Sequence, residues 1–167
     1  APVGALVTYT LDVALPADVN FYDATIVDTL PAGIDPASIL LSSSSCVYTD
    51  GPAGPCSTVV TSGMALGPTG TLHGWGIGNV ASDPRPRRVT VVYTALVADV
   101  AGNTAGTPRT NSAVLRWNQT DTVGSPGLTG TFDSATTPGV AKVTILEPKL
   151  SITKTVNDAL IGTGVIQ

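Results

Sequence analysis

From Arg88 to Val97 the chain places Val89, Val91, Tyr93, Ala95 and Val97 on one face of an extended backbone. A period of two is the signature of a strand with one buried face, and a helix of period 3.6 cannot satisfy it. The same period governs Ala5 to Leu15, where Val7, Tyr9, Leu11 and Val13 face one way and Thr8, Thr10 and Asp12 the other. It returns from Leu150 to Asn157, with Leu150, Ile152 and Val156 opposed to Ser151, Thr153 and Thr155. Lys154 falls on the apolar face of that last segment, where an ammonium group needs a partner or a reaction.

Shorter strands are predicted at Asp23–Leu30, Ile39–Leu41, Cys46–Tyr48, Thr58–Thr61, Thr71–Ile77, Asn111–Trp117 and Val140–Leu146. Pro16 and Pro31-Ala32-Gly33 end two strands, and Gly78-Asn79 reads as a turn after a third. Pro36 to Leu40 reads as one helical turn, and Gln119 to Pro138 as a long loop or loose hairpin. Many short strands and no amphipathic helix predict an all-β fold, an immunoglobulin-like sandwich with Greek-key connections.

Only 12% of the 167 residues are charged, against 43% hydrophobic, and the net charge is -4. No basic concentration suits nucleic acid or an anionic membrane; Arg85, Arg87 and Arg88 read as the solvated flank of a strand. No apolar run approaches the length of a membrane span, so no membrane insertion is expected. The chain does not start with Met and reads as a mature or excised piece. Cys46 and Cys56 flank a turn-rich loop and are expected to form a disulfide, which fits an oxidising, extracellular compartment.

The two ends of the chain fit one another. Leu150 to Thr155 is a Leu-x-x-x-Lys-Thr strand. Gly4-Ala-Leu-Val7-Thr-Tyr9-Thr-Leu11 follows the pattern Gly-x-x-Val-x-Tyr-x-Leu. Val27-Asp28-Thr29-Leu30-Pro31-Ala32-Gly33, Trp75-Gly76-Ile77-Gly78 and Asn111-Ser112-Ala113-Val114 complete a set. Together these resemble a repeat of prokaryotic surface proteins, the domain of unknown function number eleven, related to the isopeptide-forming fimbrial domains. The resemblance covers most of residues 3 to 117 and 148 to 167. The Asp-Thr-Leu-Pro-Ala-Gly block is its most specific part. The order departs from the family, because the opening strand comes last; the cysteine loop and the strand Val140–Leu146 are additions.

The resemblance implies a first strand permuted to the C-terminus. Residues 1–147 then form a sandwich lacking its own first strand, and 148–167 a linker plus a strand that starts or completes the next copy. Leu150, Ile152, Lys154 and Val156 would be the complementing face. The expected partners are copies of the same chain, joined head to tail into a filament or lying as periods of a tandem array. A return of the strand into its own domain is the third arrangement.

Asn111, Asp28 and Lys154 each share a strand face with apolar residues. In the fimbrial relatives a Lys and an Asn on neighbouring strands join as an amide while a buried acid moves protons. The resemblance thus implies Lys154 as nucleophile, Asn111 as electrophile and Asp28 as the acid, with Asp12 disfavoured because its parity points it outward. An Asp28–Lys154 ion pair or plain hydrogen bonding is the alternative. Asn118-Gln119-Thr120 matches a glycosylation sequon. Asp99, Asn103 and Asp121 are candidate Ca²⁺ oxygens without a dedicated loop pattern; no other metal or cofactor is expected. His73 reads as a strand-end residue with no catalytic role.

These features predict an extracellular, cell-surface structural module of a filament, sheath or stalk. The alternative is an adhesin-type domain that binds glycan or a host surface, for which exposed aromatics such as Trp75 beside His73 would speak. No paired carboxylates or catalytic triad stand out, and no enzyme activity is expected.

Overall fold

The computed structural model describes residues 1–52, 54–56, 65–121 and 131–146. The expected strand Thr58–Thr61 and the whole of 148–167, with Leu150, Ile152, Lys154 and Val156, lie outside the described residues.

Nine strands form two antiparallel sheets among those residues: β1 Leu6–Leu15, β2 Phe21–Thr29, β3 Ile34–Tyr48, β4 Ala65–Thr69, β5 Leu72–Val80, β6 Arg87–Val97, β7 Pro108–Asn118, β8 Ser134–Ala135 and β9 Gly139–Thr144. One sheet has the order β1-β6-β3. The other runs β4-β5-β2-β7-β8, with β9 also paired to β7. Chain neighbours such as β1 and β2, β2 and β3, or β6 and β7 sit in opposite sheets, the hallmark of Greek-key connections. The all-β sandwich is therefore as the alternation predicts.

The core lies where the inward faces meet. On the central strand β6, Val89, Val91, Tyr93, Ala95 and Val97 are fully buried. They meet Phe21, Ile26, Trp75, Ile77 and Leu115 of the opposite sheet. On β1 the inward residues Val7, Tyr9 and Leu15 are buried, but Leu11 and Val13 are only half-buried. That difference has a cause: among the described residues β1 pairs with β6 alone, so its other edge carries no neighbour.

Two local expectations change. Pro36 to Leu40 is not a helical turn but part of β3, at an irregularity where the β3–β6 register slips between Asp35 and Leu40. Pro36 has no N–H to give the ladder. The Ser38 hydroxyl takes the place of a ladder carbonyl there, accepting from the Leu96 amide at 2.7 Å, and donates to the Asp35 carbonyl at 2.6 Å. Gly78-Asn79 is not a turn either, since β5 continues to Val80. Gly78 instead sits with φ +80 opposite a bulge in β2, where Asp23 has φ 53. The Asn79 side chain accepts the Asp23 amide at 2.9 Å.

The Arg85–Arg88 cluster is a solvated flank only in part. Arg87 is buried and donates to the Ala81 carbonyl at 2.9 Å. Arg85 lies over the Tyr48 ring, 3.3 Å from its centroid. Both fasten the turn before β6 onto the sandwich. Cys46 and Cys56 form the expected disulfide, with Cα atoms 5.3 Å apart, and a bridge between Val47 and Pro55 folds the loop back on β3.

Candidate functional site

An open slot runs along the edge of β1 that has no partner among the described residues. Its volume is about 390 Å³, and its walls are Tyr9 to Ala14 of β1, Asn111 and Ala113 to Leu115 of β7, and the segment 136–141. The slot is thus the gap between the last strand of one sheet and the last strands of the other.

Two of its wall residues, Asn111 and Tyr9, adjoin a buried polar cluster. Asp28 on β2 is fully buried, and Asn111 on β7 is 2% exposed. The two strands are neighbours, with Asp28 opposite Ala113. Tyr93 on β6 reaches across the sandwich and donates its hydroxyl hydrogen to Asp28 Oδ2. Asn111 Nδ2 donates to the Tyr93 hydroxyl oxygen at 3.1 Å. Tyr93 is thereby the hub that holds the carboxylate and the carboxamide in one chain of hydrogen bonds. The sequence pairing of Asp28 with Asn111 identifies two members of this cluster but not the hub.

His73, Trp75 and Tyr9 complete the surroundings. His73, second residue of β5 and so at a strand end as expected, is the cross-strand partner of Asp28 and is 4% exposed, which places it in the core as well. Its ring lies 4.6 Å from that of Trp75, which is 5.2 Å from Tyr93. Tyr9 stacks on Tyr93 at 5.1 Å. Trp75 is 3% exposed, so neither it nor His73 offers an exposed aromatic platform.

The cluster holds more polar atoms than it pairs. Asp28 Oδ1, Asn111 Oδ1, the Tyr9 hydroxyl, both His73 nitrogens and Trp75 Nε1 have no hydrogen-bond partner among the described residues. A buried polar atom left without a partner costs about 1–3 kcal/mol. Such a concentration in one place singles this cluster out as the candidate site. Burial dominates its electrostatics. Asp28 is pushed up to about 6 by loss of water, against the opposing pull of hydrogen bonds from Tyr93, Asn111 and the Thr29 backbone. Tyr9 rises to about 12, through burial first and the Asp28 charge second. Tyr93 is raised further for the same two reasons, and burial lowers His73.

The free acceptors have a chemical meaning. Asp28 Oδ1, Asn111 Oδ1 and the Tyr9 oxygen come from three strands, and a primary ammonium has three N–H donors and no acceptor. An acid pushed up to about 6 can also pass protons between an amine and an amide.

The other sequence candidates do not join the cluster; Asp12 lies on the slot wall. Asp12 points outward, as its parity requires, and accepts from Thr90 Oγ1 at 2.6 Å. Asn118 is 4% exposed; its Nδ2 donates to Asp23 Oδ2 at 3.0 Å and its Oδ1 accepts the Asp133 amide at 3.2 Å. The folded domain therefore does not present the Asn118 sequon for a glycan, because the amide nitrogen is committed inside. Asp99, Asn103 and Asp121 do not form a Ca²⁺ cage. Asn103 is taken up by the Gly33 and Ala98 carbonyls and by Arg109, while Asp121 accepts from Asn79. Among the described residues no cluster of three or more His, Cys, Asp or Glu side chains is placed to hold a metal ion. No helix is long and apolar enough to cross a membrane among the described residues. No family model matches the chain, and no curated protein matches it.

Proposed function

We propose that this chain is an extracellular structural module whose sandwich is completed by an added strand, so that copies join head to tail in a surface filament, sheath or stalk. The donor is the segment Leu150–Val156, with Leu150, Ile152 and Val156 filling the slot and Lys154 directed at the polar cluster. The reading is supported above all by the slot beside the edge of β1 that has no partner among the described residues, lined by Asn111, which Tyr93 links to Asp28 behind it. An added strand gains backbone hydrogen bonds along that edge and buries the half-exposed Leu11 and Val13. The resemblance to the surface-protein repeat points the same way.

The same cluster supports a Lys154–Asn111 isopeptide bond. The deprotonated Lys154 nitrogen attacks Asn111 Cγ. The C–Nδ2 bond breaks, and Nδ2 leaves as ammonia with a proton that Asp28 carries from the amine. Desolvation serves both partners, lowering the basicity of the amine and keeping a proton on the acid. Without the reaction, Lys154 and Asp28 form a buried ion pair.

One observation favours a second reading, completion within one molecule. The Leu146 amide donates to the Ala1 carbonyl at 2.8 Å and Leu146 bridges Pro2, near the head of β1. The segment after Leu146 therefore starts near the slot of its own domain.

Sedimentation of the full chain across concentrations, followed by denaturing intact-mass measurement, separates these readings. Head-to-tail addition predicts species that grow with concentration and that Lys154→Asp abolishes. The isopeptide bond predicts the loss of one ammonia per bond, and a covalent ladder when it joins molecules. A monomer at all concentrations rejects the head-to-tail reading.

A further inference from the structure

Two ring contacts and a pair of hydrogen bonds meet at Tyr93. Trp75 of β5 lies 5.2 Å from its ring, with 35° between the planes. Tyr9 of β1 stacks on it at 5.1 Å. The Tyr93 hydroxyl donates to Asp28 Oδ2 and accepts from Asn111 Nδ2 at 3.1 Å. Rings in contact exchange an electron directly. A phenol that loses an electron becomes a strong acid, so in a dry core the step needs a base already joined to the hydroxyl by a hydrogen bond. Asp28 is such a base.

We propose that Tyr93 is a redox-active tyrosine, the donor that restores Trp75 after a one-electron oxidant has taken an electron from the indole. One electron passes from the Tyr93 ring to the Trp75 radical cation. The phenolic hydrogen passes to Asp28 Oδ2 as a proton. The products are an intact indole, a neutral phenoxyl radical and a neutral carboxylic acid. The step is independent of strand addition, because every group in it belongs to the core of the sandwich.

The surroundings direct the oxidising equivalent to Tyr93. An indole radical cation and a carboxylate are both costly away from water, and the transfer removes both charges at once. Burial already pushes Asp28 up to about 6, which favours its neutral form. Asn111 Nδ2 keeps its acceptor after the proton has gone, since the phenoxyl oxygen retains lone pairs. Trp75 Nε1 has no hydrogen-bond partner among the described residues, so the radical cation has no adjacent base to take its proton. The Tyr9 hydroxyl has none either, and the equivalent therefore stops at Tyr93 instead of moving on through the stack.

The other candidates are less suited. Tyr48 also donates to a carboxylate, Asp83 Oδ2 at 3.0 Å. But Arg85 lies over its ring, and a guanidinium there opposes removal of an electron. Trp117 has Phe21, not a tyrosine, as its ring neighbour.

Trp117→Phe leaves Trp75 as the only tryptophan of the chain. Laser photoionisation of that indole in the full chain, read by transient absorption, follows decay of the indole radical and growth of the phenoxyl radical. The expected result is matched first-order decay and growth, independent of protein concentration and slower in deuterium oxide. Tyr93→Phe should remove the phenoxyl signal and Tyr48→Phe should leave it. Asp28→Asn keeps the shape of the acceptor but takes no proton, and should slow the growth on the order of a hundredfold. Phenoxyl growth that survives Tyr93→Phe, or that is lost in Tyr48→Phe, overturns the assignment to Tyr93. An Asp28→Asn rate equal to the parent rate, or equal rates in the two solvents, overturns Asp28 as the proton acceptor. An indole radical that decays with no phenoxyl growth overturns the whole proposal.

Discussion

The Tyr93 hydroxyl donates to Asp28 Oδ2 across the full thickness of the sandwich, joining the central strand of one sheet to an inner strand of the other. Its oxygen also accepts from Asn111 Nδ2 at 3.1 Å. One hydroxyl thus orients Asn111, which lines the slot, and Asp28, which lies behind it in the core.

Tyr93→Phe is expected to destabilise the fold by about 1–3 kcal/mol at pH 7, because it removes one donor and one acceptor from a buried network. Urea unfolding of the variant measures this. The loss should shrink at pH 4.5, where a protonated Asp28 no longer presents two bare acceptor oxygens. A pH-independent loss would show that Tyr93 acts through packing alone.

The acid at position 28 makes stability depend on pH in an unusual direction. Its value in the folded open form, about 6, lies above the 3.8 of an unperturbed aspartate. The folded state therefore binds the proton more tightly than the unfolded one. That contribution favours folding below about pH 4 and is lost as pH rises through 6. Asp28→Asn keeps the shape and removes the charge. In dilute chain it should equal the parent at pH 4 and be more stable at pH 7, by on the order of 3 kcal/mol at most. A variant less stable than the parent at pH 7 would mean that a cation already occupies the slot.

Gly33 and Asn103 form a second cross-chain lock. Gly33 has φ +94, and a Cβ there would meet Asn103 Oδ1 at 2.1 Å. Asn103 Nδ2 donates to the Gly33 and Ala98 carbonyls, each at 2.8 Å. Gly33→Ala combines backbone strain with a clash and should cost more than about 2 kcal/mol. Thermal melts check it, and an unchanged midpoint would contradict this geometry.

Reduction of Cys46–Cys56 releases a loop closed over a separation of 10 residues. Chain entropy puts the effect at about 2–3 kcal/mol. Paired urea curves with and without reductant should show that loss while β6 stays protected from hydrogen exchange. Equal curves would show that the loop is held by its bridge to β3 instead.

Much of this fold is legible in alternation alone. The strand expected at Arg88–Val97 is β6, and Ala5–Leu15 is β1 to within one residue, because each has one buried face and a clear stop. Alternation fails where side chains replace backbone partners. Ser38 stands in for a ladder carbonyl at the irregularity beside Pro36, so a Pro-containing stretch that reads as a helical turn is strand. The candidate site divides in the same way. Asp28 and Asn111 stand out as polar residues on apolar faces. The roles of Tyr93, Tyr9 and His73 depend on which strands face each other across the sandwich, and no spacing along the chain contains that. His73 carried one available signal, its shared parity with Trp75 and Ile77 on a strand face. The Asn118 sequon shows the converse: the pattern is present, and burial removes its use.

Hydrogen exchange at those β1 amides between Tyr9 and Ala14 that point away from β6, measured on the full chain over a wide concentration range, tests the open edge most directly. Strand addition between copies predicts protection that rises with concentration and disappears in Lys154→Asp. Protection equal at every concentration would place the completing strand in the same molecule, and no protection at any concentration would leave the slot without an occupant.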